Sequence, residues 1–187
     1  MSGDAGGGVV VTTAAPGAFL QGVARTIAAA GNVFATMTSY GYGSFVQGQV
    51  FASAAGTTIM RASGDGAFAQ GTVSGAGAIL QATGNGAFAQ GRAATNNITA
   101  SGSGSFAHGD STAAAIVASA TNSAQFGAGT NALADSLQVG NGGIRFKGTT
   151  GAPGAPQDGD LWVNGGFVYV RSNGTSIQIA GPGPLTQ

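Results

Sequence analysis

The chain has 187 residues, with six Lys and Arg balanced by six Asp, no Glu, no Cys and a net charge of zero. No basic stripe is available for nucleic acid, and without Cys neither a disulfide framework nor a thiolate metal site is expected. Gly supplies 36 residues, and large side chains are scarce at 10 Phe, 3 Tyr and 1 Trp. Buried apolar surface contributes roughly 25 cal/mol per Å², against about 1–2 kcal/mol of backbone entropy lost per ordered residue, so association of several copies is the expected remedy.

Residues 1–40 form a Gly/Ala/Val/Thr entry. The first eight residues carry no basic run followed by an apolar stretch, and nowhere does the chain approach the roughly 20 apolar residues of a membrane span. Neither a signal peptide nor membrane insertion is expected. The run from Val9 to Thr13 reads as a strand, and a six-residue phrase, Gly-Ala-Phe19-Leu-Gln21-Gly22, follows it.

Residues 41–147 repeat that phrase at Phe45, Phe68, Phe88 and Phe106, with His108 in the slot held elsewhere by Gln21, Gln47, Gln70 and Gln90. A second, weaker phrase is centred on Ile59, Ile79, Ile98 and Ile116. From Phe68 the anchors fall at 68, 79, 88, 98, 106, 116 and 126. Such periodicity is the signature of a fold that stacks one small unit on the next. Each half-unit offers five or six strand-like residues and then a corner, such as Gly64-Asp-Gly66, Gly75-Ala-Gly77, Gly84-Asn-Gly86, Gly102-Ser-Gly104 or Thr121-Asn122, where the backbone takes positive φ at low cost.

Strand alternation puts Phe88 and Gln90 on one face and Ala87 and Ala89 on the other. The expected core is a column of the bulky residues Phe45, Phe68, Ile79, Phe88, Ile98, Phe106, Ile116 and Phe126, leaving a smooth Ala/Ser/Gly face for another sheet or chain. The Gln series then either aligns as an amide ladder or faces water.

Residues 148–156 are a linker of three Gly-x-y triplets, Gly148-Thr-Thr-Gly151-Ala-Pro153-Gly154-Ala-Pro156, with Pro third in two of them. That spacing suits three polyproline-like strands around an axis, or a plain extended linker. Residues 157–187 read as a β-meander: runs at 161–163, 167–170 and 175–179 are separated by turns at Asn164-Gly and Asn173-Gly174. Trp162, Phe167, Tyr169 and Arg171 are of the types that dominate binding hot spots and form the candidate receptor-contact tip. The alternative is that Trp162 and Phe167 are the core of the meander.

Little in the chain suggests catalysis. His108 reads as a substitution within the ladder, no Ser/His/Asp spacing stands out, and Asp158 with Asp160 reads as a turn. No enzyme activity, cofactor or metal is expected.

The segment Thr121-Asn-Ser-Ala-Gln-Phe126-Gly127-Ala-Gly129, followed by Ala134-Asp135 and Val139-Gly140, resembles the end of the head domain of trimeric autotransporter adhesins. The resemblance implies a parallel β-roll, three of which pack about a three-fold axis. The spacing of the Phe anchors, from Phe68 to Phe88 and on to Phe106, is wider than that family's rung, and no coiled-coil stalk or anchor is expected here. The phrase Asp158-Gly-Asp160-Leu-Trp162 resembles one near the ends of bacteriophage tail fibre proteins, where a small hairpin module follows a repetitive shaft.

Together these readings give an all-β, elongated homotrimer: a bacteriophage fibre or spike on the exterior of the virion. Residues 1–40 would dock on other virion proteins and the C-terminal hairpin tip would meet the host cell surface. A capsid head fibre or decoration protein without receptor binding is the alternative, and a bacterial surface adhesin a further one.

Overall fold

The computed structural model describes residues 8–26, 33–53, 56–140, 157–158, 160–164 and 167–180. The Gly-x-y linker at 148–156 lies outside them. The chain divides into two compact units, Met1–Gly143 and Ile144–Gln187, and all regular structure among the described residues is β.

Among the described residues of the first unit, fourteen strands alternate between two sheets. The odd-numbered strands are β1 (Gly8–Thr13), β3 (Val33–Ser39), β5 (Gly56–Ala62), β7 (Ile79–Ala82), β9 (Ile98–Ala100), β11 (Ile116–Ala118) and β13 (Gly129–Asn131), and they form one sheet in that order. The even-numbered strands are β2 (Phe19–Thr26), β4 (Phe45–Ala52), β6 (Phe68–Val73), β8 (Phe88–Ala93), β10 (Phe106–Asp110), β12 (Ala124–Phe126) and β14 (Leu137–Val139), and they form the other. All pairings in both sheets are parallel, so each odd and even pair completes one circuit and lies over the previous one. Residues 8–26 and 33–39 pair within these same sheets, so the compositional shift near residue 40 does not interrupt them.

The circuits shorten along the chain. In the even sheet the successive register partners are Phe19, Phe45, Phe68, Phe88, Phe106, Ala124 and Leu137. The interval between neighbours in that series falls at every step except one, the two intervals that meet at Phe106 being equal. The odd sheet contracts in the same way, from Gly8 opposite Phe34 to Ile116 opposite Gly129.

The interior between the sheets is filled by the other set of alternating residues than the sequence suggests. Its largest side chains form one column on the odd sheet, Met37, Met60, Leu80, Ile98 and Ile116, each fully buried and each in register with the next. Facing them on the even sheet are Val46, Ala69, Ala89 and Ala107, also fully buried. Phe45, Phe68, Phe88 and Phe106 are instead half-buried on the outer face of the even sheet, and Ile79 is half-buried and paired with Ile59 on the outside of the odd sheet. Of the expected core residues, only Ile98 and Ile116 lie inside.

The reason is width. A short circuit leaves little chain to span the gap between its two strands, so close packing favours one aliphatic side chain opposed by Ala, as in the circuits from Phe68 onward, over two facing columns of bulky side chains.

Glycine is favoured at one kind of position and required at another. In the corner column Gly43, Gly66, Gly86 and Gly104 the backbone takes φ of 62° to 64°, and Asn122 and Asp135 continue it at 52°. In the strand column Gly22, Gly48, Gly71, Gly91 and Gly109, φ lies between 137° and 151°, and at the first four a Cβ would sit 1.9–2.0 Å from the carbonyl oxygen of the Gly on the next strand.

The second unit is an antiparallel sheet of β15 (Leu161–Asn164), β16 (Phe167–Ser172) and β17 (Thr175–Ala180) in that order. Its second turn, at Asn173-Gly174, has positive φ at both residues, 48° and 69°, as a two-residue hairpin needs.

Candidate functional site

The most ordered surface feature is the outer face of the even sheet. Because each even strand from β2 to β10 begins at a Phe and the strands pair in register, the rings of Phe19, Phe45, Phe68, Phe88 and Phe106 stack face to face. Their centroids are 5.0, 4.7, 4.6 and 5.0 Å apart and neighbouring planes lie within 11°. The strip is most open at its first ring, Phe19, which is 49% exposed. Phe126 is not in this column. It pairs with His108, so it occupies the Gln slot, tilted 34° to Phe106 and 38% exposed.

Two residues along each strand, the amides form a ladder. Gln47 Nε2 donates to Gln21 Oε1 at 2.9 Å, Gln70 Nε2 to Gln47 Oε1 at 2.7 Å and Gln90 Nε2 to Gln70 Oε1 at 2.7 Å. His108 takes the next place in register, its ring 6.1 Å from that of Phe106 and 6.0 Å from that of Phe126. Its Nδ1 is buried and has no hydrogen-bond partner among the described residues. At the end of these strands the exposed pair Arg92 and Asp110 meets at 3.3 Å. The Thr112 hydroxyl, then the Thr112 backbone N–H at 2.9 Å, with Arg92 a smaller contributor, hold the Asp110 carboxyl below its usual range.

The second unit brings the aromatic tip candidates together on one face. Trp162 lies opposite Tyr169 across β15 and β16, with ring centroids 5.6 Å apart and planes 13° from parallel, and Phe167 is 6.5 Å from Tyr169. Trp162 is 7% exposed and forms the floor of the cluster; Phe167, Tyr169 and Arg171 are half-buried. Arg171 donates through Nη1 to Ser176 Oγ at 3.2 Å. Both acidic residues of the entry segment accept backbone N–H groups: Asp158 from Gly174 at 2.9 Å and Asp160 from Gln157 at 2.8 Å. The Asp160 carbonyl accepts from Arg171 N–H at 2.9 Å, which ties the entry segment to β16.

Sequence reasoning did not identify the aliphatic line Leu161, Val170 and Ile177 on the reverse of that sheet. Its signal was present: Leu161 and Val170 alternate with the aromatic residues of β15 and β16, and Ile177 lies between the polar Ser176 and Gln178 of β17. Among the described residues no group of three or more His, Cys, Asp or Glu converges. No protein-family model, curated protein or solved structure matches the chain.

Proposed function

We propose that the chain is a virion structural protein: a homotrimeric bacteriophage fibre or spike, built from three β-rolls, that mediates or supports host attachment at the exterior of the particle. The observation that supports this most is the unbroken parallel register of the circuits. Seven strands per sheet, spaced about 4.8 Å apart, give a rise of roughly 30 Å. Stacked Phe rings and an amide ladder run alongside it, and an array of this kind suits a stiff spacer. The separate antiparallel unit after it suits an end module. In this reading the N-terminal circuit meets the particle and Phe167, Tyr169 and Arg171 face the host.

Burial of Trp162 favours a second reading, a capsid head fibre or decoration protein whose end module holds the chains in register and binds no receptor. One experiment addresses both. Deleting residues 1–40 is expected to abolish incorporation into particles while the remaining chain still trimerises. Deleting residues 157–187 is expected to leave incorporation intact and slow adsorption to the host. Normal adsorption by the second variant selects the decoration reading, and incorporation of the first reverses the assigned polarity.

A further inference from the structure

A three-stranded sheet has two faces, and in the second unit only one of them is closed by its own side chains. The line Trp162, Tyr169 and Gln178 crosses one face, where Trp162 is buried beneath the aromatic cluster. The line Leu161, Val170 and Ile177 crosses the other, with Leu161 43% and Ile177 46% exposed. Alternation adds Val168, Ser172 and Thr175 to that face, so the described side chains there carry no charge. A small sheet with an uncovered aliphatic face is marginal in water, and an apolar face at these register positions calls for another apolar surface.

The chain itself points to what covers it. The Gly-x-y triplets at 148–156 have the spacing that lets three extended chains close around an axis. Leu161 follows Pro156 by five residues, a span of at most about 18 Å. If the triplets meet, the first residue of the aliphatic line is delivered close to that axis in every copy. A receptor would have no reason to be fed by such a linker, whereas two further copies of the same face would arrive with it.

We propose that the aliphatic face formed by Leu161, Val170 and Ile177 is a trimerisation surface, covered by the same face of two other copies of this chain. This inference rests on the homotrimer of the proposed function and assigns where its end is sealed. It also turns the opposite, aromatic face, with Phe167, Tyr169 and Arg171, away from the axis.

The chain contains no cysteine, so single substitutions report cleanly. Ile177→Cys and its strand neighbour Gln178→Cys place a thiol on opposite faces. Three readouts are taken on each: native mass, the rate of maleimide alkylation, and cross-linking by a short bifunctional maleimide. The expected result is a trimer in both variants. The Ile177→Cys thiol should be slow to alkylate and should join two chains, while the Gln178→Cys thiol should alkylate freely and stay unlinked. A trimer in which the Ile177→Cys thiol alkylates as fast as the Gln178→Cys thiol and joins no chains overturns the surface while leaving the trimer standing. A protected thiol that never links chains means the face is covered by another part of its own chain, which also overturns the proposal. A monomeric mass for the unsubstituted chain overturns the trimer and this surface with it.

Discussion

At Gly71 the absence of a side chain decides whether two strands can pair. The residue has φ of 144°, and a Cβ there would lie 1.9 Å from the carbonyl oxygen of Gly91, a backbone atom with no freedom to swing aside. Gly77, at a corner, has φ of 73° and open space where its Cβ would be. Gly77→Ala is therefore expected to cost about 1–2 kcal/mol, the ordinary penalty for a left-handed L-residue. Gly71→Ala is expected to exceed it clearly, since about 1–3 kcal/mol of backbone strain adds to the clash. Denaturant unfolding of the two variants compares them directly, and equal costs would show that β6 and β8 can separate. Asp110 allows a test in pH. Its folded pKa is depressed, so its contribution is complete above the ordinary value of 3.8 and is lost as pH falls through the lower folded value. Thr112→Ala removes the largest cause, and the Asp110 carboxyl, followed by NMR titration, is expected to move back up toward 3.8.

Strands were legible in the sequence because the phrase Gly-x-Phe-x-Gln/His-Gly marks the start of each even strand from β2 to β10, and the Gly-x-Gly corners carry the expected positive φ at their second Gly. Which face of each strand looks inward was not legible. Alternation establishes only that Phe88 and Gln90 share a side; the distance between the sheets chooses the side, and that distance depends on circuit length, a property of the closed loop. The weaker Ile phrase misled for a related reason. Ile79 and Ile98 look equivalent in sequence, yet Ile98 pairs with Leu80, one residue on, and so faces inside. Energetics should follow the observed faces. Leu80→Ala empties a fully buried position and is expected to cost about 2–5 kcal/mol. Phe88→Ala loses two stacked neighbours, at 4.6 and 5.0 Å, for about 0.5–1.5 kcal/mol each beyond the area its half-buried ring hides, but on an outer face it leaves no closed cavity. Thermal melting should therefore rank Leu80→Ala as the more damaging. A Phe88→Ala loss of equal size would mean that another surface covers the ring strip in solution.

For the molecule as a whole, the all-β class was legible in the sequence, and the chain falls into two compact units, Met1–Gly143 and Ile144–Gln187. The contraction of the circuits was only partly visible, because the anchors after Phe68 are nearly even while the longer early circuits look like irregular spacing. That contraction restricts how such a chain can change in length. Unequal recombination in a coding sequence copies a fixed stretch of chain, and an extra copy keeps the register only if it spans one whole circuit, so that it lies over its own template. Successive intervals are equal at one place, from Phe88 to Phe106 and from Phe106 to Ala124. A copy of that interval inserted there would extend the ring strip and the interior column without moving any partner. A copy of an earlier circuit must be longer to do the same, because the interval it repeats is longer. The length of chain that can be added or lost in one step thus depends on where along the stack the change falls.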